Sequence, residues 1–134
     1  MRVVLDTNIL VSAMGWDGNE REVLLATFSD DIDMVLSEEL IAELLRVLSY
    51  EKLSHLPVDK ISKFVEIMME TAIIIDTTSQ FSVIKEDPSD DRVLECAVDG
   101  CAEYIVSGNR HLLNLKEYEG IRILNAKEFL GLMK

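Results

Sequence analysis

Short apolar runs alternate along this chain with longer stretches in which apolar residues recur every three or four positions. The run Arg2 to Asp6 (RVVLD) is β-branched and apolar, as a buried strand requires. Thr7 to Met14 continues from it as a helix. Residues 20–29 read as a second helix after the break at Gly15 and Gly18, and Ile32 to Leu36 as a second strand. Ser37 suits an N-cap, with Glu38 and Glu39 in the first turn of a helix over 38–50. Leu40, Ile41, Leu44, Leu45 and Leu48 give that helix one apolar face. Residues 58–71 predict a further helix and Ala72 to Ile75 a strand. A helix starting at Ser89 or Asp90 is bracketed by Pro88 and Gly100. Tyr104 to Ser107 reads as a strand, Arg110 to Leu113 as a helical turn, Ile121 to Leu124 as the last strand and Ala126 to Leu132 as the last helix. Strands alternating with helices imply an α/β sandwich around a mainly parallel sheet. Such sheets bind ligands outside the carboxyl ends of their strands.

Composition narrows the picture. A length of 134 residues suits one domain, 1–134, and the 49% apolar content supplies a core and weighs against disorder. The longest apolar runs fall far short of the ~20 residues a membrane span needs. Asp6 and Asn8 interrupt the N-terminal apolar stretch, and no basic segment or small-residue cleavage site frames it as a secretory signal. Cys96 and Cys101 do not make a disulfide framework. Read as reduced and helix-borne, they place the protein in the cytoplasm. Two Cys and two His also weigh against a zinc site of the usual four-ligand kinds. Thirteen Lys and Arg against 25 Asp and Glu leave a net charge of −12. That balance argues against a broad basic face for nucleic acid. It leaves room for a nucleic-acid enzyme whose carboxylates hold metal ions, because the metal then supplies the positive charge.

Four places carry candidate chemistry. Asp6 ends the first strand at the ligand-binding edge, with Thr7 and Asn8 beside it to orient its carboxylate; an N-cap or Asx turn is the other reading. Glu43 lies one turn beyond Glu39 on the helix over 38–50, where a solvated helix face would also explain it. Glu86-Asp87-Pro88-Ser89-Asp90-Asp91 packs four acids into six residues. The helix macrodipole accounts for one or two of them. Four repel one another, and a divalent cation relieves that repulsion. Ser107-Gly108-Asn109-Arg110-His111 follows a strand, either at the site or as a glycine turn capped by Asn109. Convergent carboxylates in a parallel α/β domain suggest metal-assisted phosphoryl transfer, since Mg²⁺ takes hard oxygen ligands.

Four ordered segments, VVLDTNILVSA, LSEELIAELLRVL, EDPSDDRVLECA and YIVSGNRHLLNL, together with the closing RILNAKEFL, resemble the PIN-domain ribonucleases. The branch they resemble is the toxin component of bacterial and archaeal toxin–antitoxin pairs. The resemblance implies a PIN-like three-layer sandwich, and a site of three acids usually joined by a fourth. Matched by motif, these are Asp6, Glu43 and Asp90. Asp91 is a lesser match than Asp90, and Asp87 a supporting residue, as are Thr7, Asn8 and Ser107. The fourth acid would follow the glycine of SGN, where Asn109 stands instead. An amide oxygen can still meet a cation or a water, so Asn109 enters the expected metal set at the cost of one charge. His111 fits the branch's pattern, with a surface position as its plainer reading.

The implied activity is hydrolysis of RNA phosphodiesters with one or two Mg²⁺ or Mn²⁺ ions and no nucleophilic side chain. Lys52, Lys60, Lys63, Arg92 and Arg110 are the available phosphate contacts. The implied partners are an RNA substrate, a second copy of the chain in a homodimer, and an antitoxin protein. The alternative is a PIN fold that cuts poorly because of Asn109 and serves as an RNA- or partner-binding module. A haloacid-dehalogenase-like phosphatase fits less well, because its chemistry wants an acid where Asn8 stands.

Overall fold

The computed structural model describes residues 1–50 and 55–133. In chain order the elements are β1 (Arg2–Leu5), α1 (Thr7–Gly15), α2 (Asn19–Ala26), β2 (Asp33–Ser37), α3 (Glu38–Leu48), α4 (Val58–Thr71) and β3 (Ile73–Ile75). A 3₁₀ turn (Pro88–Asp90) then leads into α5 (Asp91–Asp99), β4 (Tyr104–Val106), α6 (Arg110–Leu113), β5 (Glu117–Tyr118), β6 (Ile121–Leu124) and α7 (Ala126–Leu132). The six strands form one sheet in the order β3-β2-β1-β4-β6-β5. Every pairing is parallel except that of β5 with β6.

Side-chain alternation along the strands builds two cores. Val3, Leu5, Met34, Leu36, Val106 and Leu124 face α1, α2, α4 and α7, together with Leu44 of α3. Val4, Val35, Ile105 and Ile123 face the other way, onto α5 and Leu112 of α6. The period of two thus divides the residues of one strand between two helical layers. This is the mainly parallel three-layer sandwich that the alternation of elements predicts. Gly100, just past α5, is fixed by packing: a Cβ there would sit 2.5 Å from Cγ1 of Val35 on β2.

Several boundaries differ from the sequence reading. The helix over 20–29 stops at Ala26, because the Thr27 and Ser29 hydroxyls turn back onto the carbonyls of Leu24 and Ala26. The helix over 38–50 stops at Leu48, where Ser49 Oγ donates to the Arg46 carbonyl. Its start is as expected, with Ser37 Oγ accepting from Leu40 N–H at 3.2 Å, a cap worth about 1 kcal/mol. Cys96 is helical and buried, but Cys101 lies beyond the end of α5 and is exposed. β6 coincides with the expected last strand, but β5 and the hairpin turn before it are additional. Glu119 and Gly120 both take positive φ, +49° and +82°, the two-residue turn that matches strand twist.

The sheet order fixes where a ligand would bind. From β1 the chain proceeds outward through β2 to β3. It then crosses back to β4 on the other side of β1. The crevice between the carboxyl ends of β1 and β4 is therefore the topological switch point.

Candidate metal centre

Asp6 occupies that switch point. It is the residue after β1 and sits at the N-cap position of α1, with 6% of its surface exposed. Its backbone N–H donates to the carbonyl of Val106, which fixes it against the end of β4. From β4 the fully buried Ser107 hydroxyl donates to Asp6 Oδ2 at 2.7 Å. The same hydroxyl accepts from the Asn109 backbone N–H at 2.9 Å. Burial raises the Asp6 pKa; the Ser107 hydroxyl and the N–H groups of Asn8 and Thr7 pull it back, and the charge of Asp87 raises it again.

Glu43 approaches from α3. Its pKa is also raised, first by burial and then by the charge of Asp6. The Thr7 hydroxyl and the Arg46 guanidinium oppose that rise. Glu43 is half-buried on α3, near enough to Asp6 and Thr7 for both to act on it.

Asp90 comes from the third direction, the 3₁₀ turn that leads into α5. It too is 6% exposed. Burial, then the charges of Asp87 and Asp6, push its pKa up to about 6, against the pull of Asn109 and His111. The Asn109 side-chain amide donates to both carboxylate oxygens of Asp90, at 3.1 and 2.9 Å. Asp87 caps the 3₁₀ turn, accepting from the N–H and hydroxyl of Ser89 at 3.1 and 2.6 Å. Its charge acts on Asp6, Glu43 and Asp90 alike.

Asp91 is turned elsewhere. Its Oδ1 accepts from the N–H groups of Val83 and Ile84 at 3.0 and 3.1 Å. One turn along α5, Glu95 accepts from Phe81 N–H, and a turn further Asp99 accepts from the N–H groups of Thr78 and Ser79. Three carboxylates at i, i+4 and i+8 therefore pin the extended segment 78–84 along α5. Sequence reasoning missed this ladder. Its signal was an acid in every turn of a helix whose other residues, Arg92 apart, are apolar.

Of the phosphate contacts expected, Arg92 is paired with Glu95 at 2.7 Å. Lys60 and Lys63 are exposed on α4, Arg110 opens α6 beside Asn109, and Lys52 lies outside the described residues. Arg46 lies near enough to Glu43 for its charge to oppose the rise there, and His111 lies near Asp90. Cys96 is no candidate nucleophile: burial pushes its thiol up to about 12.

Among the described residues, no three His, Cys, Asp or Glu side chains stand as a ready-made cage around a metal. The donors at the switch point are carboxylate oxygens, and each is held at raised pKa by burial and by its neighbours' charge. A hard divalent cation fits such a set. Mg²⁺ is held by one or two carboxylates and completes its shell with water and substrate oxygens.

Solved structures share this fold. VapBC2 from Rickettsia felis, bound to a DNA fragment from the pair's promoter, aligns over 93% of this chain and 98% of its own, at 18% identity and a TM-score of 0.64. PAE2754 from Pyrobaculum aerophilum aligns over 99% and 89%, at 13% identity and a TM-score of 0.56. The PIN domain of human SMG5 aligns over the whole of both chains, at 12% identity and a TM-score of 0.51. No curated protein matches the sequence. The family model of the PIN domain matches residues 2–111, a span that takes in Asp6, Glu43, Asp90 and Asn109. The chain therefore belongs to the PIN-domain family.

Proposed function

We propose that this chain is a metal-dependent endoribonuclease, the toxin component of a toxin–antitoxin pair. The observation that carries the proposal is the hydrogen-bonded link from Asp6 at the switch point, through Ser107 and Asn109, to Asp90, with Glu43 of α3 near enough for the charge of Asp6 to act on it. Burial raises all three pKa values, the charge of Asp87 adds to each, and the charge of Asp6 adds to those of Glu43 and Asp90. Mg²⁺ or Mn²⁺ bound there would activate a water for attack at phosphorus and offset charge on the leaving oxygen. Asp6, Glu43 and Asp90 would hold the ion. Ser107 fixes the orientation of the Asp6 carboxylate, and Thr7 steadies Glu43. Arg46 brings positive charge to the rim, where the phosphates of an RNA strand would pass.

The kinship in fold with VapBC2 supports an antitoxin protein as partner. Exposed Leu45, Val58, Met69 and Ile74 on α3, α4 and β3 supply apolar surface for a second copy. Light scattering then gives a mass near twice 15.2 kDa. The free thiols of Cys96 and Cys101 suit the cytoplasm. No helix among the described residues is long and apolar enough to cross a membrane.

The test is cleavage of end-labelled single-stranded RNA. Wild type with Mn²⁺ shortens the RNA, whereas EDTA or Asp6→Asn leaves it intact. A second reading, a catalytically weak RNA- or partner-binding module, is favoured by the uncharged Asn109 in place of a fourth acid. Wild type that binds RNA in Mn²⁺ without cutting it would establish that reading instead. Neither cutting nor binding would overturn the RNA assignment altogether.

A further inference from the structure

Asn109 was expected among the metal ligands, and its amide is committed elsewhere. Its oxygen accepts from the backbone N–H of His111 at 2.8 Å, capping α6. Its NH₂ group spans both oxygens of Asp90. Its backbone N–H donates to Ser107 Oγ, whose hydroxyl in turn donates to Asp6. One residue therefore ties the two acids that come from opposite sides of the crevice. We propose that Asn109 is a positioning residue that sets Asp90 for the cation and gives no oxygen to it.

The chemistry of the groups supports this. An ionised carboxylate offers about four lone-pair directions over its two oxygens. Asp90 can therefore keep the Asn109 amide on one side and meet a cation on the other. The amide oxygen has less freedom. Turning it toward the crevice would strip the His111 N–H of its partner and aim the NH₂ group away from Asp90. An aspartate at position 109 could receive the His111 N–H equally well, but it could donate nothing to Asp90. The neutral amide thus does for Asp90 what an acid could not: it steadies the carboxylate whether or not a cation is present.

The inference rests on the metal site proposed above, and a double-substitution cycle separates the two. Mn²⁺ dissociation constants are measured by calorimetry for wild type, Asn109→Ala, Asp90→Ala and the double variant. If Asn109 acts through Asp90, Asn109→Ala weakens Mn²⁺ binding about tenfold or more in wild type, yet changes it less than twofold once Asp90 is gone. An equal loss in both backgrounds would show that Asn109 gives its own oxygen to the ion, and the proposal would fall. Wild type that binds no Mn²⁺ would overturn the metal site itself. A second measurement needs no variant. On adding Mg²⁺ to ¹³C- and ¹⁵N-labelled wild type, the Asp6 and Asp90 carboxylate carbons shift while the Asn109 carboxamide carbon stays nearly still. A carboxamide shift as large as theirs would overturn the positioning role.

Discussion

Replacing Asp90 with asparagine should stabilise the metal-free protein at neutral pH and cease to do so in mild acid. The reason is the raised pKa of Asp90, about 6 in the fold against an ordinary 3.8. Below pH 3.8 the carboxyl is protonated in both the folded and unfolded chain, and no penalty exists. Between 3.8 and about 6 the unfolded chain releases its proton while the folded chain retains it, so folding stability falls as pH rises. Above about 6 the penalty is complete, at most about 3 kcal/mol. Asp90 keeps some contact with water, and screening reduces this to about 1–2 kcal/mol. Asparagine at position 90 carries no such penalty, so its advantage over wild type grows with pH. The pH-independent cost of the substitution, an amide now facing the amide of Asn109, cancels when two pH values are compared. Thermal melts in EDTA at pH 4.5 and 7.5 should therefore show the variant gaining on wild type by roughly 2–6 °C between them. Saturating Mn²⁺ should reverse the order at pH 7.5. An ion at a hundredfold excess over its Kd adds about 2.7 kcal/mol to the protein that binds it. A difference between the two proteins that is flat with pH would refute the buried, mutually repelling carboxylates on which the site is built.

Three further substitutions probe the framework. Asn109→Asp should lower the melting temperature in EDTA at pH 7.5, since it removes both donors to Asp90 and sets two carboxylates face to face, a loss of about 1–3 kcal/mol; adding Mn²⁺ should recover it. Asp91→Ala should cost about 2–4 kcal/mol in denaturant unfolding, because two N–H groups lose a charged acceptor; amide exchange should speed up selectively at Val83 and Ile84. Gly100→Ala should cost about 1–3 kcal/mol by overpacking, with its Cβ 2.5 Å from Val35 Cγ1 and 2.8 Å from the Cys96 carbonyl oxygen; an unchanged unfolding midpoint would contradict the close approach of α5 to β2.

The layered fold was legible because local signals agreed with it. Val3-Val4-Leu5, Met34-Val35-Leu36 and Tyr104-Ile105-Val106 are compact apolar runs. Ser37, Pro88 and Gly100 mark the helix boundaries with side chains or backbone angles that suit ends. The hairpin that adds β5 to β6 escaped because Glu119-Gly120 lacks the usual Asn-Gly or Asp-Gly signature, and β5, two residues long, is too short to show a period. The segment 78–84 escaped for another reason. It pairs with no strand, and its backbone donors are satisfied by Asp91, Glu95 and Asp99 across a gap in sequence that no local pattern reports. Asp6, Glu43, the acids around Asp90 and Asn109 stood out by their places at strand ends, on a helix face and at a helix start, and motif resemblance then chose Asp90 within its cluster. Residue type alone left Asn109 open as either a ligand or a cap. Only the direction of its amide, toward Asp90 and away from open solvent, distinguishes a third role.

The account stands most directly on whether a divalent cation sits among these carboxylates. Diffraction from crystals soaked in MnCl₂, recorded near the manganese absorption edge, tests it in one measurement. The predicted result is an anomalous peak in the crevice between the ends of β1 and β4, within coordinating distance of carboxylate oxygens of Asp6 and Asp90, with Asn109 still bonded to Asp90. A saturating soak that leaves the crevice without a peak, or that places manganese only on other surface acids, would contradict it.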